Sequence, residues 1–446
     1  MGAGASASVT AAVGKASEDE LKAAIAEISP EDQARLVAAL AGGGGAAPSA
    51  PAAAAKVNDY LDDSKFENGH APLAEKIAAD KAAWEELGKK ATAPAEGASF
   101  AVAMIADQDE ASMVEAGAWE SKLAYGKLVY KGDKGDASYA LEITGEATIT
   151  TTRGDKSGRG AEYSALEVFD GKLLTMDDRT GNVDELVPKE GGGFDVKPLV
   201  DSEGKEVSLK LGDGKKDKPL KIEWATQKGG KLVIGSTGKE RTDDDSKVVH
   251  HGEMWVKTLE PGTFKVTDMD GTPAYNGLRA AGKVGPAPAE GELSQGYMIH
   301  ESSRWSDEHG KWFFMPRKAS RESYEEEKDT KKCVNLMLAA PEKTPEDGSG
   351  VIVQPYLGFM ELRGCSDFLL VPGTKDCHFF ITRTEESLDN MITTYSSVID
   401  ITGKVLMKES VIGQNRKFEG AAWVGGFGPF EGTGTELSKP GDCVVA

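Results

Sequence analysis

Cysteine is scarce in this chain. Only Cys333, Cys365, Cys377 and Cys443 occur among 446 residues, with no C-x-x-C pair, so neither zinc-ligand spacing nor a disulfide framework is written here. Cys365 and Cys377 flank one hairpin segment and are read as free thiols. No run of 18 apolar residues occurs, which excludes a membrane-spanning helix. The opening MGAGASASVTAAVG has no charged stretch followed by a leucine-rich core, so no secretory signal peptide is expected. Positive charge is also in deficit. With 52 basic against 73 acidic residues the net charge is −21, which argues against a nucleic-acid partner. The same balance suits a hard cation, while an anionic ligand would need local Arg or Lys side chains to offset the repulsion.

What the sequence does contain is a repeated unit. ESSRWSDEHGKWFFMPRKASR, from Glu301, opens on a carboxylate, turns at His309-Gly310 and returns as a strand. Related units start at Ser164, Glu223 and Ser366. The turn glycine follows by seven positions at Gly171, Gly230 and Gly373 and by nine at Gly310, one strand and a tight turn each time. A fifth head, Glu419, stands in KFEGAAW. One hairpin cannot bury its apolar face alone, and recurrence at 53 to 78 residues is the mark of a repeat architecture. Radial stacking into an all-β, five-bladed β-propeller solves the problem and points equivalent innermost positions into a central channel. Ser164, Glu223, Glu301, Ser366 and Glu419 would then form a central cation site, and oxygen-only ligands favour calcium over zinc.

Ten segments carry a resemblance: MIADQDEAS (104–112), GRGAEYSAL (158–166), DDRTG (177–181), GDG (212–214), KIEW (221–224), TGKE (237–240), YNGLRAAG (275–282), GYMIHESSRWS (296–306), KWFFMPRKAS (311–320) and KFEG (417–420). In this order they resemble the soluble calcium-activated nucleotidase (apyrase) family, five-bladed propellers that hydrolyse nucleoside di- and triphosphates. Carried over residue by residue, the family's calcium ligands fall on Ser164, Glu223, Glu301, Ser366 and Glu419, the positions the repeat selects. Three departures bear on nucleotide preference and rate. Leu211 opens Leu-Gly-Asp-Gly where relatives have Asp-Gly-Asp-Gly, Arg241 follows TGKE where a tryptophan is expected, and Asp367 follows Ser366 where a second serine is usual.

Around the propeller, expected over 98–424, the chain divides further. Residues 1–41 read as a helical hairpin, with Ser17 and Glu20 in a capping box, Leu21, Ile25 and Ile28 on one face, and a second helix restarting at Pro30. Residues 42–55 are a flexible Gly/Ala/Pro linker, 56–97 a helical connecting region with a helix over about 72–90, and 425–446 a tail. GPAPAEGEL (285–293) and PEKTPEDGSG (341–350) read as loops between blades, and Arg153-Gly154-Asp155 as a charged turn rather than an integrin signal.

Phosphoanhydride hydrolysis needs a held electrophile, a positioned water and positive groups on the phosphate oxygens. Asp107 and Asp178 are the candidates for handling water, and Arg179 for the phosphate. Arg159, Glu162, Asp177, Glu240 and Arg317 are candidates for substrate binding. Asp177 and Asp178 have a structural alternative, capping the turn before Arg-Thr-Gly. Trp224, Trp305, Trp312 and Phe313 read first as blade core, and His300 as a histidine satisfied by its neighbours. As an enzyme, the chain takes nucleoside di- or triphosphates with Ca2+. As a different class, it is a calcium-stabilised propeller that only docks partners.

Both ends carry lipid-attachment patterns. Gly2 with Ser6 fits N-myristoylation, and Cys443-Val444-Val445-Ala446 fits a prenylation ending. Together they predict membrane anchoring and a cytoplasmic location, the alternative being the secretory pathway used by members of the resembled family.

Overall fold

The computed structural model describes residues 73–189, 193–386, 391–425 and 427. The expected helical hairpin, the Gly/Ala/Pro linker and both lipid-attachment patterns lie outside the described residues, as does nearly all of the expected tail. Helix α1 (Leu73–Gly88) comes first. Four strands follow, β1 (Ser99–Asp107), β2 (Met113–Glu115), β3 (Ala118–Tyr130) and β4 (Tyr139–Thr151). The next group is β5 (Tyr163–Phe169), β6 (Lys172–Asp177), β7 (Val183–Pro188) and β8 (Phe194–Pro198). After it come β9 (Trp224–Lys228), β10 (Lys231–Gly235), the short β11 (Arg241–Thr242) and β12 (Val248–His250), β13 (Trp255–Leu259), β14 (Val266–Asp270) and helix α2 (Thr272–Ala281). Then run β15 (Tyr297–Ile299), β16 (Ser303–Ser306), β17 (Lys311–Phe314), β18 (Lys318–Ser320), helix α3 (Glu326–Asp329), β19 (Leu336–Pro341) and β20 (Ile352–Pro355). The chain closes with β21 (Arg363–Leu370), β22 (His378–Glu386), β23 (Ile392–Asp400), β24 (Val405–Gln414) and β25 (Lys417–Trp423).

Pairing sorts these strands into five antiparallel blades, in the orders β25-β1-β3-β4, β5-β6-β7-β8, β9-β10-β13-β14, β16-β17-β19-β20 and β21-β22-β23-β24. Their innermost strands β25, β5, β9, β16 and β21 touch in a closed ring. This is the five-bladed propeller. The first blade takes its innermost strand from the far end of the chain, Val102 pairing with Trp423 and Met104 with Ala421. The four expected hairpins are present, and Gly171, Gly230, Gly310 and Gly373 have φ of 73°, 75°, 60° and 76°. A Cβ at any of them would meet nothing, so glycine is required for its left-handed backbone and not for space.

Period-two alternation explains how five blades share one core. Along β1, Val102 and Met104 pack with Phe380 and Val398 of the last blade, while Ala101, Ala103 and Ile105 pack with Leu166 and Leu173 of the next. The same alternation sends Trp224 and Ala225, or Phe313 and Phe314, to opposite seams. Each of the five seams therefore holds an apolar cluster. Truncating a residue such as Phe313, fully buried, would cost about 3–5 kcal/mol.

Outside the ring, α1 covers an edge strand. Lys76 Nζ donates to the Val351 carbonyl at 2.8 Å, Asp80 accepts the Val353 N–H at 2.7 Å, and Trp84 packs 6.2 Å from Phe313. This satisfies and shields the outer edge of the fourth blade. Two expectations change. The 341–350 segment joins β19 to β20 within one blade rather than linking two. His300 is buried with neither ring nitrogen bonded among the described residues; it packs between Tyr275 and Phe314, at 5.5 and 5.2 Å, and burial lowers its pKa to about 3. Trp224 and Phe313 are core as expected, whereas Trp305 and Trp312 are half-buried. Cys333, Cys365 and Cys377 are free and buried.

Candidate active site and cation ring

The ring positions share a backbone device. In β5, Tyr163 pairs with Asp177 and Ala165 with Met176, leaving Ser164 between them unpaired. Ser366 is passed over in the same way between Cys365 and Asp367, and Glu419 between Phe418 and Gly420. Such bulges free one residue from the ladder and re-aim its side chain. Glu223 and Glu301 precede the first paired residues of β9 and β16. All five thus stand where an innermost strand departs from regular pairing.

Ser164 Oγ donates to Glu419 Oε2 at 3.2 Å, and Arg317 bridges Glu419, Glu301 and Glu386. The space for that arginine comes from Gly364, where a Cβ would lie 2.4 Å from the Arg317 side chain. Glu223 joins the group through charge. Burial, with Glu301, Asp178 and Glu419 nearby and despite Lys221, pushes its carboxyl up to about 8. Glu301 is also raised by burial, against the pull of Arg317. Burial acts on Glu419 too, but Lys417 and Arg317 prevail and hold it at about 2. The Ser366 hydroxyl instead meets Thr384 Oγ1 at 2.9 Å.

Two residues before Ser164, Glu223 and Glu419 stand Glu162, Lys221 and Lys417. Lys417 Nζ lies 3.1 Å from Glu419, 3.2 Å from Asp107 and 3.3 Å from Asp109. Lys221 pairs with Glu223 and lies 2.6 Å from Asp178. Carboxylate oxygens of Asp107, Glu162 and Asp178 fall within 4.8 Å of one another, all three residues buried. Asp107 ends β1, Glu162 precedes β5 and Asp178 follows β6, so three chain crossings meet at one channel mouth. Burial raises Asp107 well above the carboxylate range and raises Glu162 despite its bond to Arg159. Asp178 Oδ1 is buried with no hydrogen-bond partner among the described residues.

Of the expected substrate contacts, Arg159 grips Glu162 and lies 3.6 Å from Asp109. Arg179, about a third exposed, reaches Asp155 at 3.5 Å, and its Nε is buried without a hydrogen-bond partner among the described residues. Asp177 serves its turn: Oδ1 accepts the N–H groups of Arg179 and Thr180 at 2.9 and 2.8 Å, and burial raises it to about 7. Glu240 is fully buried, held by Arg279 at 2.6 Å and Ser294 at 2.8 Å, in the wall of a cleft. Arg317 lies inside the ring rather than at the mouth, because three carboxylates bind it there. The cleft measures about 570 Å³ and is lined by Lys221, Glu223, Glu301, Lys239, Arg241 and Tyr324, among others. Lys221, Lys417 and Glu386 were not singled out from sequence, although K-x-E in both KIEW and KFEG carries the signal for the two lysines.

The apyrase family model matches residues 107–424, from the mouth aspartate to the end of the closing strand. The chain belongs to the apyrase family. It is 34% identical over 329 residues to soluble calcium-activated nucleotidase 1 of Rattus norvegicus, spanning 74% of each chain. An apyrase of Cimex lectularius is 32% identical over 73% of this chain and 82% of its own, and apyrase apy-1 of Caenorhabditis elegans 31% identical over 73% and 84%. These relatives overturn the cytoplasmic expectation. One is named a soluble calcium-activated nucleotidase and two are named apyrases, and the alternative expectation, the secretory pathway, is the one that matches them. They lend no support to lipid attachment at Gly2 or Cys443. No helix among the described residues is long and apolar enough to cross a membrane.

Proposed function

We propose that this apyrase hydrolyses the terminal phosphoanhydride of nucleoside di- and triphosphates in a calcium-dependent reaction. The observation that carries the reading is the buried Asp107, Glu162 and Asp178 group, with Asp178 Oδ1 free, next to the glutamate ring. Ser164, Glu223, Glu301, Ser366 and Glu419 offer only oxygen, which fits a hard cation of high coordination number. Among the described residues, eight carboxylates at or beside the ring (Asp107, Asp109, Glu162, Asp178, Glu223, Glu301, Glu386, Glu419) face four cations (Arg159, Lys221, Arg317, Lys417), an excess that a divalent ion offsets. Bound calcium would supply positive charge to phosphate oxygens.

The chain's own residues do the rest. Asp178 Oδ1 orients the attacking water and takes its proton, Asp107 and Glu162 shape the acidic pocket around it, and Arg159 and Arg179 meet the phosphate oxygens. The nucleoside extends into the cleft, whose volume suits it, with Arg241 at the position where the family expects tryptophan. The alternative, a calcium-stabilised propeller that only docks partners, is less favoured because the relatives are named as nucleotidase and apyrases.

Phosphate release from UDP, GDP, ADP and the matching triphosphates, with and without calcium, tests the reading. Calcium-dependent release is expected from at least one of them, and its absence from all six would overturn the proposal.

A further inference from the structure

One turn occurs four times among the described residues. Asp155, Asp201, Asp243 and Asp400 each accept, through Oδ1, the N–H groups of the second and fourth residues onward, at 2.8 to 3.0 Å. Each also donates its own N–H to the fourth residue's carbonyl, at 2.6, 2.8, 2.9 and 2.8 Å. The third residue onward has positive φ: Gly158, Gly204, Ser246 and Gly403, at 88°, 79°, 60° and 87°. A short acidic side chain bonded to its own backbone is ordinary turn chemistry, and in three copies the carboxylate makes no ion pair among the described residues.

The Asp155 copy differs in two respects. Its fourth residue is Arg159 rather than the lysine found at 205, 247 and 404, and that arginine enters the mouth to grip Glu162 near Asp178. Its second oxygen, Oδ2, faces Arg179 Nη2 at 3.5 Å. Arg179 leaves a buried Nε undonated among the described residues. The loop itself is seated firmly, since Gly154 lies against the Trp119 ring, where a Cβ would come within 2.3 Å, and Arg153 is held by Asp184 at 2.9 Å.

We propose that Asp155 is a positioning residue that holds Arg159, through its backbone, and Arg179, through its guanidinium, as a two-armed phosphate clamp at the channel mouth. This rests on the nucleotidase reading and deepens it. Holding both arms before substrate arrives lowers the ordering cost of binding, so the carboxylate should show in KM more than in kcat. Arg153-Gly154-Asp155 is then spent internally, consistent with the turn reading.

Hydrolysis of UDP or ADP at saturating calcium, with melting temperature measured alongside, tests the assignment. D155N keeps the Oδ1 acceptor and the turn but removes the charge facing Arg179. It should raise KM about three- to fivefold, the worth of one partly exposed ion contact, with kcat within twofold and an unchanged melting temperature. D155A should show that KM change and also a lower melting temperature. D201N and D400N, in the same turn without an arginine, should keep the parent KM. Parent-like KM in D155N would overturn the assignment, as would KM changes of the same size in D201N and D400N. A parent that releases no phosphate from any nucleotide would bring down the nucleotidase reading and this one with it; active parent with unaffected D155N brings down this one alone.

Discussion

Charge enters the central channel at two levels, and the chain treats them in opposite ways. One layer beyond the glutamate ring, away from the mouth, Arg304 reaches from β16 to Asp367 on β21 at 2.8 Å and to the carbonyls of Ala225 on β9 and Ala421 on β25. Asp367 is fully bonded, its oxygens accepting the Phe368 and Ala421 N–H groups at 2.8 Å, while Arg304 Nε has no partner among the described residues. Arg304 and Asp367 pair directly, with Glu167 beside them, and tie four innermost strands together. At the ring and mouth, carboxylates outnumber cations, Glu223 and Glu301 are raised by burial, and Asp178 Oδ1 has no hydrogen-bond partner among the described residues. A carboxylate with every oxygen bonded by the protein serves structure, whereas one with an oxygen left over is suited to something the polypeptide does not supply.

The comparison can be broken first at its closed end. Asp367→Ala should destabilise the fold by about 3–5 kcal/mol by stranding a buried guanidinium, and Arg304→Met with Asp367→Leu should recover much of that loss. Chemical unfolding measures both. A mild Asp367→Ala would show that the lower level is not closed after all.

At the open end the response should be in rate, not stability. Asp178→Asn is expected to lower turnover by about 10²- to 10⁴-fold while the melting temperature in calcium stays put. Collapse of stability would instead return Asp178 to the turn-capping role that Asp177 fills. Calcium itself should stabilise the parent by about 2.7 kcal/mol at a hundred times its Kd. Glu301→Gln should shrink that increment and weaken hydrolysis together, since it removes an anionic ligand. A variant that loses the calcium increment yet keeps full activity would separate the ion from the chemistry. The smallest effect belongs outside both levels: Gly171→Ala, strained at φ 73° with open space around it, should cost about 1 kcal/mol and leave calcium binding unchanged.

Much of this was legible in the residues. A Ser- or Glu-headed hairpin with a glycine seven or nine positions on is a local pattern, and alternation with period two says which side chains share a face, so the five blades and their turns follow from the sequence alone, and the five proposed ring positions are named from it. Family segments in order led to the same ring. Helix α1 was visible in Leu73, Ile77, Trp84 and Leu87, although the strand edge it covers was not.

Other features depended on residues far apart in the chain. Bulges at Ser164, Ser366 and Glu419 exist only relative to a partner strand, and for Glu419 that strand is β1, some 300 residues earlier. Arg317 looked like a phosphate ligand because arginine forks bind phosphate; three carboxylates from different blades claimed it instead. Asp177 and Asp178, adjacent in sequence, were divided between a turn and the mouth by which way each side chain faced. The sequence alone determined the repeat and its faces, because periodicity is local. Which charges would neutralise one another, and which would be left open, was decided only when the ring closed, because burial and pairing are properties of neighbours brought together by tertiary structure.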